Sequence, residues 1–275
     1  MRPQGAAAHT GADGTHRCFV YDDERQFRAL ARRFLIEGAQ RGDRLLCVGP
    51  LAEATAHDPD GLPDAERLLS SGSLTVAAAD AVYTGDLRDQ LTYYEDMTRK
   101  ALADGYSGLW VLADLSAVED VHLQLRWEHL ADYFMGTGAG MSALCAYPRD
   151  GLSASGLEDL AAVHPASGGT ATEPAFRFFF DQHRLVLTGE LDAFGVHRFQ
   201  RLLDASHAGE EPVTVDVSSL RFIDGHASVV FEAWLRDLAR RTSVELIGAT
   251  DAFRRLWGIL GFSRWLPPAL TEVRT

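Results

Sequence analysis

The chain has 275 residues, 46% of them hydrophobic and 24% charged, and a formal net charge of −13. That length supports one large or two modest domains, each with its own core. The acidic balance argues against sequence-independent nucleic-acid binding, which needs clustered Lys and Arg, and against docking on an anionic membrane; the longest apolar runs are strand-length, too short to span a bilayer.

The N-terminal stretch MRPQGAAAHTGADGTH lacks the apolar core of a signal peptide, so residues 1–13 are expected to form a flexible tail and the chain to be cytoplasmic. HRCFVY (His16 to Tyr21) reads as a strand, with Asp22 or Asp23 capping a helix in which Phe27, Leu30, Ala31, Phe34 and Leu35 recur at helical spacing. RLLCVG (Arg44 to Gly49) is the next strand. A short helix around Asp64 to Leu69, a strand at Leu74 to Ala77 and a long helix from Asp86 to Ala103 follow. GLWVLAD (Gly108 to Asp114) has the continuous apolar character of a central parallel strand. Leu125 to Phe134 is helical, and MSALCAY (Met141 to Tyr147) is another buried strand. This alternation predicts a parallel sheet with helices on both faces. HPASGGTATEP (His164 to Pro174) is small and polar and reads as a connection between domains, with the linker proper at 167–174.

Beyond it, FRFFF and RLVLTG flank a short DQH turn as a hairpin. A helix from about Ala193 to Ala205, a strand at VTVDVS, a helix from His226 to Arg240, a strand at VELIG and a helix from Asp251 to Leu260 complete a second α/β unit. The expected fold class is therefore α/β with two domains, at 14–166 and 175–267, and a tail at 268–275. Cys18, Cys47 and Cys145 each lie in an apolar strand-like run, which points to buried free thiols rather than a disulfide or metal set. His122 and His164 have no metal-ligand spacing, and no metal or cofactor is expected.

In the second half, the segments GELD (Gly189 to Asp192) and DVSSLRFID (Asp216 to Asp224) occur in order, each after an apolar strand and the second before a helix. Together they resemble the STAS domain of anti-sigma-factor antagonists over roughly residues 175 to 265. The resemblance implies a partner, an anti-sigma factor or related ATPase-type kinase, met at the turn Asp224, Gly225, His226 and Ser228. Phosphorylatable members of that family continue this turn as Asp-Ser-Ser-Gly. Here Gly225 replaces the first serine and His226 the modified one, while Ser228 falls inside the first helical turn. A phosphoryl group there would add nearly two negative charges at a helix N-terminus, and this chain is expected to lack that switch. For His226 two readings stand: a pH-sensitive or phospho-accepting residue, or a polar surface residue filling a lapsed position, which is the favoured one.

In the first half, His16, Tyr21, Glu37-Gly38, Tyr83, Gly105-Tyr106-x-Gly108, Glu128, Cys145-x-Tyr147 and His164-Pro165 together look like the MEDS domain over roughly residues 14 to 166. That resemblance implies a sensory module for a small-molecule ligand on a layout similar to a degenerate RecA-like ATPase. His16, Tyr21, Tyr83, Asp114 and Glu128 are the candidate pocket residues, expected to line a cleft at the carboxyl edge of the sheet. Glu128 is either a buried acid in that pocket or a polar-face residue. A Walker A loop is missing: the only lysine, Lys100, lies in a helical run, and the chain after the first strand reads DDERQF. The expectation is a non-enzymatic regulator in which ligand sensing is coupled to the STAS domain. The alternative is a degenerate RecA-like nucleotide-binding protein or enzyme with an accessory STAS domain.

Overall fold

The computed structural model describes residues 16–58, 62–208 and 211–265; the tails expected at 1–13 and 268–275 lie outside the described residues. The first domain runs β1 (His16–Tyr21), α1 (Glu24–Arg41), β2 (Arg44–Val48), α2 (Pro50–His57), α3 (Ala65–Ser71), β3 (Leu74–Ala77), α4 (Ala79–Val82), α5 (Leu87–Ala103), β4 (Leu109–Asp114), α6 (Val121–Gly136), β5 (Met141–Pro148), α7 (Ala154–Ala162) and β6 (Ala166–Gly169). Its six strands are all parallel, in the order β3-β2-β4-β5-β1-β6. Successive residues of a strand point to opposite faces, and both faces are dry. Leu45 and Cys47 of β2 and Trp110 and Leu112 of β4 pack against α1 and α2, whereas Leu46, Val48, Leu109 and Val111 pack against α5 and α6. This two-sided burial is why the strands read as unbroken apolar runs.

The stretch expected to open the linker contributes the sixth strand instead. Ala166–Gly169 has little intrinsic strand preference, but it pairs with the open edge of β1. Glycine is required there: Gly169 has φ +73°, and a Cβ on it would lie 2.1 Å from the Val20 carbonyl oxygen. The short helices α2 and α7 were not expected. α7 is set by Ser153, whose side chain caps Gly156 N–H.

The second domain continues with β7 (Phe176–Asp181), β8 (Arg184–Leu191), α8 (Val196–Ala205), β9 (Val213–Asp216), β10 (Leu220–Ile223), α9 (Gly225–Leu238), β11 (Val244–Ile247), α10 (Asp251–Ile259) and a 3-10 turn at Ser263–Trp265. β7 and β8 form the expected antiparallel hairpin, with Gln182 and His183 at φ 47° and 65° in its two-residue turn. β8 is long enough to pair on its other edge with β9 at Arg184–Val186 and with β10 at Gly189–Leu191. The segment LRFI, for which no strand was read from sequence, is thus a strand.

One hydrophobic core spans both domains. Cys18, Val20, Leu125, Tyr147 and Leu160 of the first belong to the same cluster as Phe176, Phe178, Phe199 and Phe231 of the second. Around this core the junction is polar and well satisfied. On α8, Arg201 grips Asp159 of α7 with two hydrogen bonds of 2.7 and 2.9 Å, and Arg198 donates to Asp159 at 2.9 Å and also pairs with Glu158. From β7, Arg177 donates to the carbonyls of Ala161 at 2.8 Å and His164 at 2.9 Å, closing the C-terminal end of α7.

Candidate functional site

A cleft of about 580 Å³ opens at the carboxyl ends of β2 and β4. Its shape begins with Gly49, at φ +95°, where a Cβ would sit 2.5 Å from the Asp114 carbonyl oxygen. The close approach lets the Asp114 carboxylate accept from Leu51 N–H at 2.7 Å and from Ser116 N–H at 3.1 Å, so it caps the first turn of α2 from outside. Tyr83, Leu115, Leu123 and Trp127 supply apolar walls, and Glu53, Asp80, Asp114, Glu119 and Asp120 make the rim acidic; no Lys or Arg lines the cleft among the described residues. A triphosphate would meet like charge here. The N-terminus of α1 is also occupied by the chain's own carboxylate, since Asp23 accepts from Gln26 N–H at 2.7 Å.

Behind the cleft wall lies a buried polar cluster, reached through Gln124, which lines the cleft and donates to Glu128 Oε1 at 2.5 Å and to Tyr147 Oη at 3.1 Å. Tyr147 donates to the same Oε1. On Glu128 Oε2 three groups converge: His16 Nε2 at 3.0 Å, Cys145 Sγ at 3.3 Å and His164 Nε2 at 3.3 Å. His16 Nδ1 meets Asp132 Oδ1 at 3.1 Å, and the two histidine rings lie 4.1 Å apart between centroids. Four parts of the first domain build this site: the start of β1, one face of α6, the middle of β5 and the end of α7. Glu128 and Asp132 share a face because they are four residues apart on α6, and every member is buried.

Burial works against charge in such a place, and the network decides which charges survive. It pulls the His16 pKa down, but hydrogen bonds and attraction from Asp132 and Glu128 override it and raise the value to about 9. Burial pushes Glu128 up, yet His164 and His16 hold its carboxyl well below the usual range. Burial raises Asp132, although His16 opposes the shift. His164 is pushed down by burial and by His16. Burial also holds the Cys145 thiol well above its ordinary value, with Glu128 adding to the effect.

Two features tie this cluster to the second domain. Asp132 Oδ2 accepts from the Phe180 N–H of β7. Arg177 of the same strand holds the His164 carbonyl. His129, one residue after Glu128, lies within 5.8 Å of Phe178 and Phe180, and burial drives its pKa down to about 3.

The second candidate region is the turn after β10. Asp224 N-caps α9 by accepting from Ala227 N–H at 2.8 Å, and its own N–H is held by the Leu191 carbonyl. His226 is exposed at the second helical position. Ser228 is fully buried in the first turn. Phe194, 95% exposed, lies in the turn after β8, whose last residue pairs with Ile223; Phe222 and Val229 are also exposed. Exposed apolar side chains therefore occur on three segments next to the Asp224 turn in chain or sheet order: the turn after β8, β10 and α9.

The five predicted pocket residues do not share one surface. Tyr83 and Asp114 line the cleft, and Tyr21 approaches it only through a 3.4 Å hydrogen bond to Asp114. His16 and Glu128 are in the buried cluster behind. The expectation fails for His16 because it begins β1, at the other end of the strand from Tyr21. Asp132, Gln124 and the convergence of Cys145 and His164 on Glu128 were not read from sequence as a site. The i, i+4 spacing of Gln124, Glu128 and Asp132 on a helix otherwise rich in Leu and Trp was the available signal. The contacts with His16, Cys145 and His164 span 112, 17 and 36 positions and had none.

Comparison with known proteins gives two findings. A family model described as MEDS, the methanogen/methylotroph, DcmR sensory domain, matches residues 15–165, and one described as Mlab, STAS domain matches residues 175–271. No curated protein and no solved structure gives a match.

Proposed function

The chain belongs to the MEDS family and carries a STAS domain after it, and from this premise we propose that it is a non-enzymatic signal-transduction regulator of the cytoplasm. The pairing of a sensory with a STAS domain marks a signalling or regulatory role. In the finer reading, a small molecule enters the cleft at Tyr83 and Asp114, and the second domain meets an anti-sigma factor or related ATPase-type kinase through the Asp224 turn. The acidic rim favours a neutral or cationic ligand with an apolar part.

The observation that carries the coupling is the path from cleft to second domain. It runs from Gln124 to Glu128, then His16 and Asp132, and ends at Phe180 N–H, and every link is a hydrogen bond within a buried region. Movement of Gln124 on ligand binding alters the acceptors that hold β7. The standard covalent switch has no place in this scheme, because Gly225 and His226 offer no hydroxyl and that of Ser228 is buried.

Two measurements test the reading. In thermal-shift titrations, ATP and GTP with magnesium are expected to leave the melting temperature unchanged; a magnesium-dependent shift or turnover would instead support the nucleotide-binding alternative. In affinity capture with a purified ATPase-type anti-sigma factor from the same host, the wild-type chain is expected to bind, and the Phe194→Asp/Phe222→Asp variant to lose at least tenfold in affinity. Equal binding by both would remove the turn from the interface.

A further inference from the structure

Among the described residues, one group of four metal-ligating side chains converges: His16, Glu128, Cys145 and His164 offer donor atoms that all lie within 4.8 Å of one another. We propose that these four residues form a closed, tetrahedral site for a single divalent transition-metal ion of the zinc class, placed where the sensory domain meets the STAS domain.

The first argument is the state of the two imidazoles. His164 Nδ1 is 2.7 Å from the Leu160 carbonyl oxygen, which only accepts, so Nδ1 carries the proton. Nε2 is left as a lone pair. It is buried, has no hydrogen bond, and faces Glu128 Oε2 at 3.3 Å, so with His164 neutral, the state burial favours, two acceptors confront each other in a dry interior, and the attraction to Glu128 needs a cation at this point. A cation between them resolves the conflict. His16 is braced from behind in a similar way, with Asp132 at its Nδ1, while its Nε2 hydrogen-bonds Glu128 Oε2 and points to the same centre. A carbonyl or carboxylate behind each ring is the usual outer-shell support of a metal-bound histidine, since it fixes tautomer and ring orientation.

Spacing is the second argument. Zinc bonds of ~2.0–2.1 Å to N or O and ~2.3 Å to S place neighbouring donors of a tetrahedron roughly 3.3 Å apart for N and O pairs and roughly 3.6 Å apart where sulfur is involved. The chain sets His16 Nε2 at 3.0 Å, and both His164 Nε2 and Cys145 Sγ at 3.3 Å, from Glu128 Oε2, and Cys145 Sγ at 3.5 Å from His16 Nε2. These four pairs need shifts of only a few tenths of an ångström; His164 Nε2, which lies within 4.8 Å of the other donors, would have to close by up to about 1 Å on His16 and Cys145 for the ion to be held by all four. On binding, it replaces the thiol proton of Cys145 and any proton on His16 Nε2, which leave to solvent.

The donor set decides the class. Two imidazoles, a thiolate and a carboxylate suit zinc, with cobalt(II) as its spectroscopic substitute; all-oxygen donors would suit magnesium or calcium, and a set dominated by sulfur would suit copper(I). No ligand is more than 4% exposed, so the site has no open position of the kind a catalytic metal needs. The ion would tie β1, α6, β5 and the end of α7 together, directly behind the contacts of Asp132 and Arg177 with the second domain.

The test uses the full chain, stripped with a chelator and then titrated with cobalt(II). The expected result is one equivalent bound, with the intense visible bands of tetrahedral cobalt and a near-ultraviolet thiolate-to-cobalt band, and displacement of cobalt by zinc. Zinc should also raise the melting temperature. Cys145→Ser should lose the thiolate band while keeping its far-ultraviolet circular dichroism, and His164→Gln should weaken binding at least tenfold. Weak octahedral cobalt spectra, substoichiometric binding, or a thiolate band that persists in Cys145→Ser would overturn the site, and the wild-type titration decides this even if a variant fails to fold. The experiment reads metal rather than partner, so its failure leaves the regulatory reading standing.

Discussion

The two domains bury very different interiors. The core of the second is aromatic: Phe176, Phe178, Phe199, Phe231 and Trp257 interlock edge to face, with ring centroids 5.6–5.8 Å apart for the pairs Phe176–Phe199, Phe178–Phe199, Phe199–Phe231 and Phe231–Trp257. The first domain, on the face that meets it, buries His16, Gln124, Glu128, His129, Asp132 and His164. Edge-to-face aromatic pairs gain from their own geometry and, for Phe, carry no titratable group. A buried polar network depends on every member being satisfied. The difference sets a buried polar network on the first domain's side of the junction against an aromatic core on the second's.

The sharpest way to break this contrast is Glu128→Leu. It leaves His16, and the hydroxyl and amide of Tyr147 and Gln124, without their shared acceptor, and is expected to cost about 3–5 kcal/mol in denaturant unfolding. A loss below about 1 kcal/mol would mean that the network is not under tension. Arg177→Met tests the link between the domains. Removing a charged donor to the carbonyls of Ala161 and His164 and to Ser167 is expected to cost about 2–3 kcal/mol. Hydrogen exchange should quicken in α7 and at His164 while α10 stays protected.

The contrast also predicts a pH response confined to one side. The pKa of His129 is near 3 in the fold, because burial and the nearby His16, His164 and His207 disfavour its charge. Below the ordinary value of 6.5 the unfolded chain gains a proton that the folded chain refuses. Stability from this group should therefore fall as the pH drops from 6.5 towards 3, and more steeply once the unfolded chain is fully protonated at this residue. His129→Leu should flatten that part of the profile, and an unchanged slope would contradict the assignment. The smallest effect is expected from His226→Ser on the exposed turn: less than about 0.5 kcal/mol in stability. If a cognate kinase still recognises the turn, this variant gains phosphate where the parent does not; serine labelling of the parent in this segment would contradict the loss of the switch.

Much of the fold was legible because it rests on local pattern. The strands at Arg44–Val48, Leu109–Asp114 and Met141–Pro148 appear as continuous apolar runs since both of their faces are covered. Asp23, one of the two caps read for the first helix, is its N-cap, whereas Asp86 and Asp224, which were not read as caps, are N-caps as well. β6 was not legible, because ASGG forms a strand only where the edge of β1 is waiting for it. The candidate site was legible in part. Tyr83 and Asp114 fall at the predicted sheet edge, but His16 and Glu128 were assigned to the same surface when they lie behind it.

The amino-acid order by itself determined the alternation of strands and helices, the two α/β units, the missing lysine of a phosphate loop and the missing hydroxyl at the STAS turn, since each is written in neighbouring residues. Only the tertiary structure decided that His16, Glu128, Cys145 and His164 meet, and that Asp132 and Arg177 join them to the second domain. Those contacts depend on strand order and domain docking, where side chains more than a hundred positions apart are brought within 3 Å.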